Sequence, residues 1–253
     1  MAPPPPSSAP APLHGPAALR AAAQVFVDDL DVLALAPDDA RHLARVLRLR
    51  AGEPVVAADG AGAWRPATFA AEDAPLGAAG PVRVQARPDP PVVVGFVPVK
   101  GERPEWVVQK LTELGVDHIV VLRSARSVVR WEGDRARSAL HRLRRVAREA
   151  AAQSRRAWLP RLDGVLDLAG MAALLAPVPL ALAEPGAEPP GPATTAVAVG
   201  PEGGWDPGEL GTASGQVGLG GAILRAETAA LGAGMLLCAL RDGLVRPIGE
   251  GPA

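Results

Sequence analysis

The stretch AVAVGPEGGWDPGE at residues 196–209 decides the fold of the larger part of this chain. Its four leading apolar residues are typical of a buried strand. Asp206, Pro207 and Glu209 match an N-cap, a first helical position and the acid of a capping box. Strand, glycine loop and helix therefore follow in that order. Because glycines let a flat ligand approach backbone N–H and C=O groups, the loop 200–204 predicts a cofactor site, with an ordinary glycine turn as the alternative.

Further strands and helices alternate on both sides of this stretch. Apolar runs at 92–97, 119–122 and 180–183 predict buried strands. Helices are predicted from Pro104 to Gly115, over 134–153 and over 228–240. This alternation predicts an α/β domain at residues 92–246, with a parallel sheet covered by helices on both faces.

The residues before position 92 have a different pattern. Short β-type runs at 25–27, 54–58, 64–69 and 82–86 are separated by turn residues, which predicts a small β-barrel over 23–88 interrupted by a helix at 38–48. The proline-rich segment Arg87–Pro91 is the predicted domain boundary. Residues 1–22, rich in Pro and Ala, predict a disordered tail, and residues 247–253 a flexible one.

Composition excludes several classes of protein. Cys238 is the only cysteine, so a disulfide framework is excluded and a reducing compartment is expected. The four histidines lack metal-ligand spacing, so we expect no metal. The N-terminus lacks the pattern of a signal peptide, and the longest apolar stretch, 226–240, is too short to span a bilayer. We therefore expect a soluble cytoplasmic protein with no membrane partner.

The net charge of −1 hides a strongly basic segment. Residues 123–161 contain twelve arginines against three acidic residues. Arg137, Arg144 and Arg148 form a stripe on the predicted helix, which indicates RNA as a partner. Because the chain has no Tyr and only three Phe, recognition of structured RNA through its backbone is favoured over stacking of single strands.

Other basic residues stand where a parallel sheet binds ligands. Lys100 and Arg103 follow the first strand of the large domain, and Arg123 and Arg126 follow the second, so both pairs are expected at one sheet edge. In the smaller domain, the basic face of helix 38–48 predicts a phosphate contact, with a solvated charged face as the alternative.

The segment LGGAILRAETA at 219–229 places Arg225 and Glu227 beside an apolar run. Because an unpaired buried charge is costly, these residues should pair with each other or face a ligand. The loop 200–204 lacks both the Gly-Lys-Ser/Thr of a phosphate-binding loop and a dinucleotide fingerprint. A nucleoside with a compact charged tail is therefore the favoured ligand.

Taken in order, these blocks resemble the RsmE family of bacterial 16S ribosomal RNA uridine-N3 methyltransferases, which belongs to the SPOUT class. The matching text is HLARVLR at 42–48, the segment 52–60, KGER at 100–103, QK at 109–110 with ELGV at 113–116, SARS at 124–127, EAAAQSR at 149–155, Pro160, GPEGG at 200–204, and LG at 219–220 with ILRAET at 223–228. The resemblance covers about residues 24–245.

The resemblance implies a PUA-like RNA-binding barrel, a methyltransferase domain with a deep trefoil knot, bound S-adenosylmethionine, a homodimer, and 16S rRNA in the 30S subunit as substrate. Mapped by motif, the implied cofactor-binding residues are Ala183, Glu184, Gly200, Pro201, Glu202, Gly203, Gly204, Leu219, Gly220, Ile223, Leu224, Arg225 and Thr228. The implied RNA-binding residues are His42, Arg45, Arg48, Lys100, Arg103, Lys110, Arg123, Arg126, Gln153, Arg155 and Arg156. The family's arginine at the start of the first strand is replaced here by Ala23 and Gln24, so that contact is lost or taken over by Arg20.

Uracil N3 holds its proton at neutral pH, so methylation there needs a base or a donor that stabilises the developing anion. The candidate catalytic residues are Arg225 or Arg103 as that donor, and Glu227 or Glu202 as the group that orients the cofactor or accepts the proton. Two alternatives remain open: a SPOUT enzyme with another RNA position or acceptor atom, and a non-catalytic RNA-binding assembly factor.

Overall fold

The computed structural model describes residues 15–101 and 103–246, and these residues form two compact units. The first contains the chain up to Ala86 together with Ala152–Trp158, and the second contains Arg87–Ala151 and the chain from Leu159 onward. The predicted tails at 1–14 and 247–253 lie outside the described residues. No described helix is long and apolar enough to cross a membrane.

The first unit is built on a five-stranded sheet. Its strands are β1 (Ala23–Phe26), β2 (Pro54–Ala58), β3 (Ala63–Thr68), β4 (Gly77–Ala78) and β5 (Arg83–Val84). β1 pairs with β2 in parallel, and the pairs β2–β3, β3–β4 and β3–β5 are antiparallel. An apolar core that includes Val25, Leu43 and Phe69 packs on this sheet.

Two parts of this unit differ from the sequence prediction. The predicted helix 38–48 is α1 (Pro37–Arg41) followed by a π-helical turn at His42–Val46. Residues 15–22, predicted as tail, begin with a 3₁₀ turn at Gly15–Ala18 that buries Pro16. The Ala22 N–H donates to the Pro54 carbonyl at 2.7 Å, so this segment is tied to the edge of the sheet.

The second unit is an α/β fold with a six-stranded sheet. Its strands are β6 (Val93–Phe96), β7 (His118–Leu122), β8 (Arg161–Leu166), β9 (Ala181–Ala183), β10 (Ala196–Val199) and β11 (Gly215–Val217). They lie in the order β11-β9-β10-β6-β7-β8, and all the pairs are parallel. The predicted parallel sheet is therefore confirmed, with β8 and β11 added to the strands that the sequence indicated.

Helices cover both faces of this sheet. They are α2 (Arg103–Leu114), α3 (Gly133–Gln153), α4 (Leu168–Leu175), α5 (Pro207–Leu210) and α6 (Ala226–Arg241). One apolar core packs α2, α3 and α6 on one face, and a second packs α4 on the other. Because the strands are parallel, the loops that follow them meet at one edge of the sheet, where ligands usually bind in open α/β folds.

Candidate functional site

A cleft of about 710 Å³, measured to its open mouth, lies at the carboxyl ends of β9, β10 and β11. Three segments converge on it, and they contain most of the predicted cofactor residues. Of those residues, ten line the cleft: Ala183, Glu184, Gly200, Pro201, Glu202, Gly204, Leu219, Gly220, Ile223 and Leu224. Gly203, Arg225 and Thr228 are not part of its lining.

The glycine loop 200–204 forms one wall, and its glycines leave part of that wall without side chains. A Cβ at Gly200 would lie 2.9 Å from the indole of Trp205, which is itself almost fully buried beneath the loop. Gly204 has φ +70°, a conformation that L side chains rarely adopt, and a Cβ there would meet no atom within 4 Å. The loop therefore presents its backbone to the cleft.

The loop leads directly into α5, whose start is fixed by its caps. The Asp206 carboxylate accepts from the Gly208 N–H, and Glu209 closes the capping box by accepting from the Asp206 N–H at 2.9 Å. These contacts satisfy backbone donors that the helix itself leaves without partners. They hold the end of the glycine loop in one place.

A second loop clamps the glycine loop from the side. Arg126, in the loop after β7, donates from Nη1 to the Gly203 carbonyl at 2.8 Å. The other oxygen of Glu209 accepts from the Ala125 N–H at 3.0 Å. Arg126 was predicted to bind RNA, and in the structure it is a hydrogen-bond donor to the loop that forms the cleft.

The third segment runs from Leu219 into α6 and carries the predicted arginine. Ile223 is 89 % exposed at the mouth of the cleft. Arg225 is the N-cap residue of α6; it is exposed and makes no side-chain hydrogen bond or ion pair with the described residues. Its guanidinium is thus available to a substrate. Thr228 follows one turn into the helix and is exposed.

The charged groups divide between the cleft and its surroundings. Glu184 and Glu202 line the cleft, and no Lys, Arg or His of the described residues belongs to its lining. Glu227 instead pairs with Arg103, with Oε1 and Nη1 3.2 Å apart, and its side chain is only 12 % exposed. Its other oxygen, Oε2, is buried without a protein partner. Of the two candidate carboxylates, Glu202 faces the cleft and Glu227 holds Arg103.

The remaining basic residues of the second unit are mostly paired. Lys110 bonds to Glu113, and Arg123 bonds to Asp167 at 2.9 Å. The Arg123 guanidinium, together with the Gly170 N–H, lowers the pKa of the Asp167 carboxyl. Lys100 is exposed and contacts no carboxylate among the described residues. Only part of the predicted basic edge is therefore free to meet an anion.

In the first unit, the predicted RNA-binding residues have mixed surroundings. His42 and Arg48 are exposed, whereas Arg45 pairs with Glu72 at 2.9 Å. Arg155 donates to the carbonyls of Ala21 and Ala23, and burial lowers its pKa. Its guanidinium therefore secures the start of β1 instead of lying free. The neighbouring predicted residues Gln153 and Arg156 lie in the same short segment, and Gln24 donates to the Arg156 carbonyl at 2.7 Å.

Sequence reasoning did not single out every residue that lines the cleft. The lining also contains Pro185, Val199, Trp205, Ala222, Ala226 and Ala229. Trp205 ends the motif that marked the site, so its position next to Gly204 was an available signal. The two alanines of α6 are spaced by three residues, which places them on one helix face. Within the described residues, no group of His, Cys, Asp and Glu side chains could hold a metal ion.

Known proteins similar to this chain share this domain. A family model described as an RNA methyltransferase domain matches residues 87–237, and one described as an RNA methyltransferase PUA domain matches residues 35–74. The ribosomal RNA small subunit methyltransferase E of Mycobacterium bovis is 37 % identical over 220 residues, which cover 76 % of this chain and 80 % of that protein.

Solved structures agree with this assignment. A ribosomal RNA small subunit methyltransferase E from Neisseria gonorrhoeae, bound to S-adenosyl methionine, has a TM-score of 0.72 at 25 % identity and covers 86 % of this chain and 97 % of its own. A probable rRNA-methyltransferase from Porphyromonas gingivalis has a TM-score of 0.72 at 26 % identity, covering 88 % and 100 %. The chain therefore belongs to the RNA methyltransferase family, in the group of the small subunit methyltransferase E proteins.

Proposed function

We propose that this protein is an S-adenosylmethionine-dependent methyltransferase that methylates N3 of a uridine in 16S rRNA of the assembled 30S subunit. The observation that carries the proposal is the cleft at the ends of β9, β10 and β11. Its walls are glycine backbone and apolar side chains, and within the described part of the chain its only charged side chains are Glu184 and Glu202. Family membership supports RNA as the substrate, and the relatives' names support ribosomal RNA of the small subunit.

The residues of the cleft fit the proposed cofactor by shape and by charge. A flat adenine suits a narrow space bounded by glycine backbone and by apolar residues such as Leu219 and Ala229. S-adenosylmethionine has a net positive charge, because it carries a sulfonium and an ammonium against one carboxylate. Two carboxylates and no cation in the lining match a ligand of that charge.

When bound, S-adenosylmethionine supplies a methyl group already activated by its sulfonium, and it leaves as a neutral thioether. The protein has to align the acceptor and stabilise the uracil anion. Arg225 suits the second task because it stands between two residues that line the cleft, and its side chain has no partner among the described residues. Glu202 is the carboxylate placed to accept the N3 proton, since Glu227 is engaged with Arg103. We assign Arg103 to an RNA oxygen and Glu227 to its positioning.

Three further features belong to this proposal. The first unit would be a PUA-like barrel that binds RNA. The chain around β11 would form the trefoil knot that the family resemblance implies. The protein would act as a cytoplasmic homodimer. Exposed apolar side chains on and beyond α6, namely Met235, Leu244 and Val245, support a partner at that end.

The decisive experiment incubates the purified protein with unmodified 30S subunits and labelled S-adenosylmethionine, followed by mass spectrometry of the 16S rRNA. One methyl group on N3 of a single uridine is the expected product. Arg225→Ala should abolish most of the label while leaving S-adenosylmethionine binding within about twofold, since Arg225 does not line the cleft. Label on another atom or another RNA would overturn the assignment of the acceptor. Full activity of Arg225→Ala would overturn the role of that arginine.

A further inference from the structure

A second cleft lies in the second unit, at the carboxyl end of β6 and beside the first half of α3. It encloses about 720 Å³, measured to its open mouth. Its polar lining consists of Lys100, Arg135, Ser138 and Arg142, and Trp131 provides an aromatic wall. It shares no residue with the cleft formed by the glycine loop. The two clefts are therefore separate binding spaces.

The charge in this second cleft is positive and only partly compensated. The Arg142 guanidinium bonds to the carboxylate of Glu105. Lys100 and Arg135 are exposed, and neither contacts a carboxylate among residues 15–101 and 103–246. Two cations around one concave space repel each other unless an anion lies between them. The site thus favours an anionic ligand.

The aromatic wall narrows the identity of that anion. Trp131 is half-buried and packs against the apolar core of the sheet, so its ring is held in place. A fixed indole offers a surface for a nucleobase or a ribose, and guanidinium groups bind phosphate oxygens. The Ser138 hydroxyl adds a further hydrogen-bond donor. A phosphate ester attached to a flat ring satisfies all of these groups.

We propose that the second cleft binds one nucleotide of the RNA substrate, with its phosphodiester between Lys100 and Arg135 and its base or ribose against Trp131. The proposal rests on the proposed function, which makes RNA the substrate. A strand of RNA is favoured over a free nucleotide because α3 also carries the arginine stripe Arg137, Arg144 and Arg148. These residues would meet the neighbouring phosphates of a polymer.

The test compares two charge-neutralising variants of α3 in the full-length protein. Arg135→Gln removes a cation from the cleft, and Arg145→Gln is the matched control, because Arg145 lies outside the cleft and is paired with Glu149. Binding to unmodified 30S subunits is measured between about 50 and 200 mM potassium chloride. Arg135→Gln should weaken binding about five- to tenfold and lower the slope of log affinity against log salt by about 1. Arg145→Gln should change neither quantity by more than about a third of that effect.

Calorimetric titration with S-adenosylmethionine shows whether each variant is folded, because the first cleft is untouched. Equal effects of the two variants on RNA binding would overturn the second site. If Arg135→Gln abolished binding of uridine monophosphate but weakened 30S binding no more than the control, the cleft would take a free nucleotide and the RNA assignment would be wrong. A wild-type protein that neither binds nor methylates 30S subunits would instead refute the proposed function itself.

Discussion

Replacing Glu202 by Gln should weaken binding of S-adenosylmethionine while leaving binding of S-adenosylhomocysteine nearly unchanged. The two ligands differ by one methyl group and by the positive charge of the sulfonium. Among residues 15–101 and 103–246, Glu202 and Glu184 are the only charged side chains that line the cleft, so the discrimination should depend on them. The substitution keeps the size and shape of the side chain and removes only its charge.

The magnitude follows from the exposure of Glu202. Opposite unit charges about 5 Å apart in an effective dielectric constant of about 20 attract by about 3 kcal/mol. The Glu202 side chain stands at an open mouth and is exposed to solvent, so screening reduces this value to the range of exposed pairs, about 0.5–1 kcal/mol. That range corresponds to a two- to fivefold rise in the dissociation constant of S-adenosylmethionine. The double variant Glu184→Gln/Glu202→Gln should reach about tenfold, because no other carboxylate lines the cleft.

Isothermal titration calorimetry with both ligands measures the effect directly. Glu188→Gln is the matched control, since Glu188 is an exposed carboxylate of the neighbouring segment that does not line the cleft. The attraction should also decrease as salt is raised. The reasoning would be refuted if Glu202→Gln weakened both ligands equally, because the loss would then come from shape or folding and not from charge. Loss of S-adenosylmethionine binding in Glu188→Gln would also refute the reasoning, because Glu188 does not line the cleft.

Three more predictions follow from contacts around the site. Arg126→Gln removes the donor to the Gly203 carbonyl, so the dissociation constant for S-adenosylmethionine should rise about three- to tenfold in calorimetry. Arg130 is an exposed arginine of the same loop, and Arg130→Gln should leave that constant unchanged. Asp117→Ala removes one of the two described carboxylates that pair with the Arg241 guanidinium, the other being Asp242, and it also removes the acceptor of the Val92 N–H. Because Asp117 and Arg241 are both under a tenth exposed, the free energy of unfolding in urea should fall by about 3–5 kcal/mol, against less than about 1 kcal/mol for Asp31→Ala, whose carboxylate is exposed. Burial lowers the pKa of His118, so the unfolded chain binds more protons at this group than the folded chain does. The free energy of unfolding should therefore decrease as the pH falls below 6.5, the pKa of His118 in the unfolded chain. His118→Gln should flatten that part of the curve of unfolding free energy against pH, and an unchanged curve would contradict the assignment.

The elements that the sequence predicted correctly are those with strong local signals. β6, β7 and β10 are unbroken apolar runs, and α3 has a regular amphipathic repeat, so each was placed within a few residues. β8 was missed because Asp163 and Gly164 interrupt its apolar residues, and β11 because Val217 is its only apolar residue. The apolar residues of α4 continue around the helix, so it has no periodicity to detect.

The features of the site that the sequence could not reveal are contacts between residues that are distant in the chain. The glycine motif and the segment before α6 located the cleft, because backbone exposure is encoded locally by glycines. The partners of Arg126, Arg155 and Glu227 lie far away in the chain, and no local pattern indicates that they are engaged. The segment Ala152–Trp158 joins the first unit by the same kind of distant contact, including the bond from the Gly62 N–H to the Ala157 carbonyl at 3.2 Å.

The two clefts carry opposite charge, which affects both where the ligands bind and how the product leaves. Under the proposed function, the cleft that carries two carboxylates attracts the cationic cofactor and repels RNA phosphates, whereas the proposed RNA cleft at Lys100 and Arg135 does the reverse. Each ligand is therefore directed away from the other's site before any close contact forms. Transfer of the methyl group removes the positive charge of the sulfonium, so the attraction by Glu184 and Glu202 falls at the step that makes the product. The same carboxylates that favour binding of the cofactor thereby favour release of the spent one, and binding of RNA to its own cleft need not change.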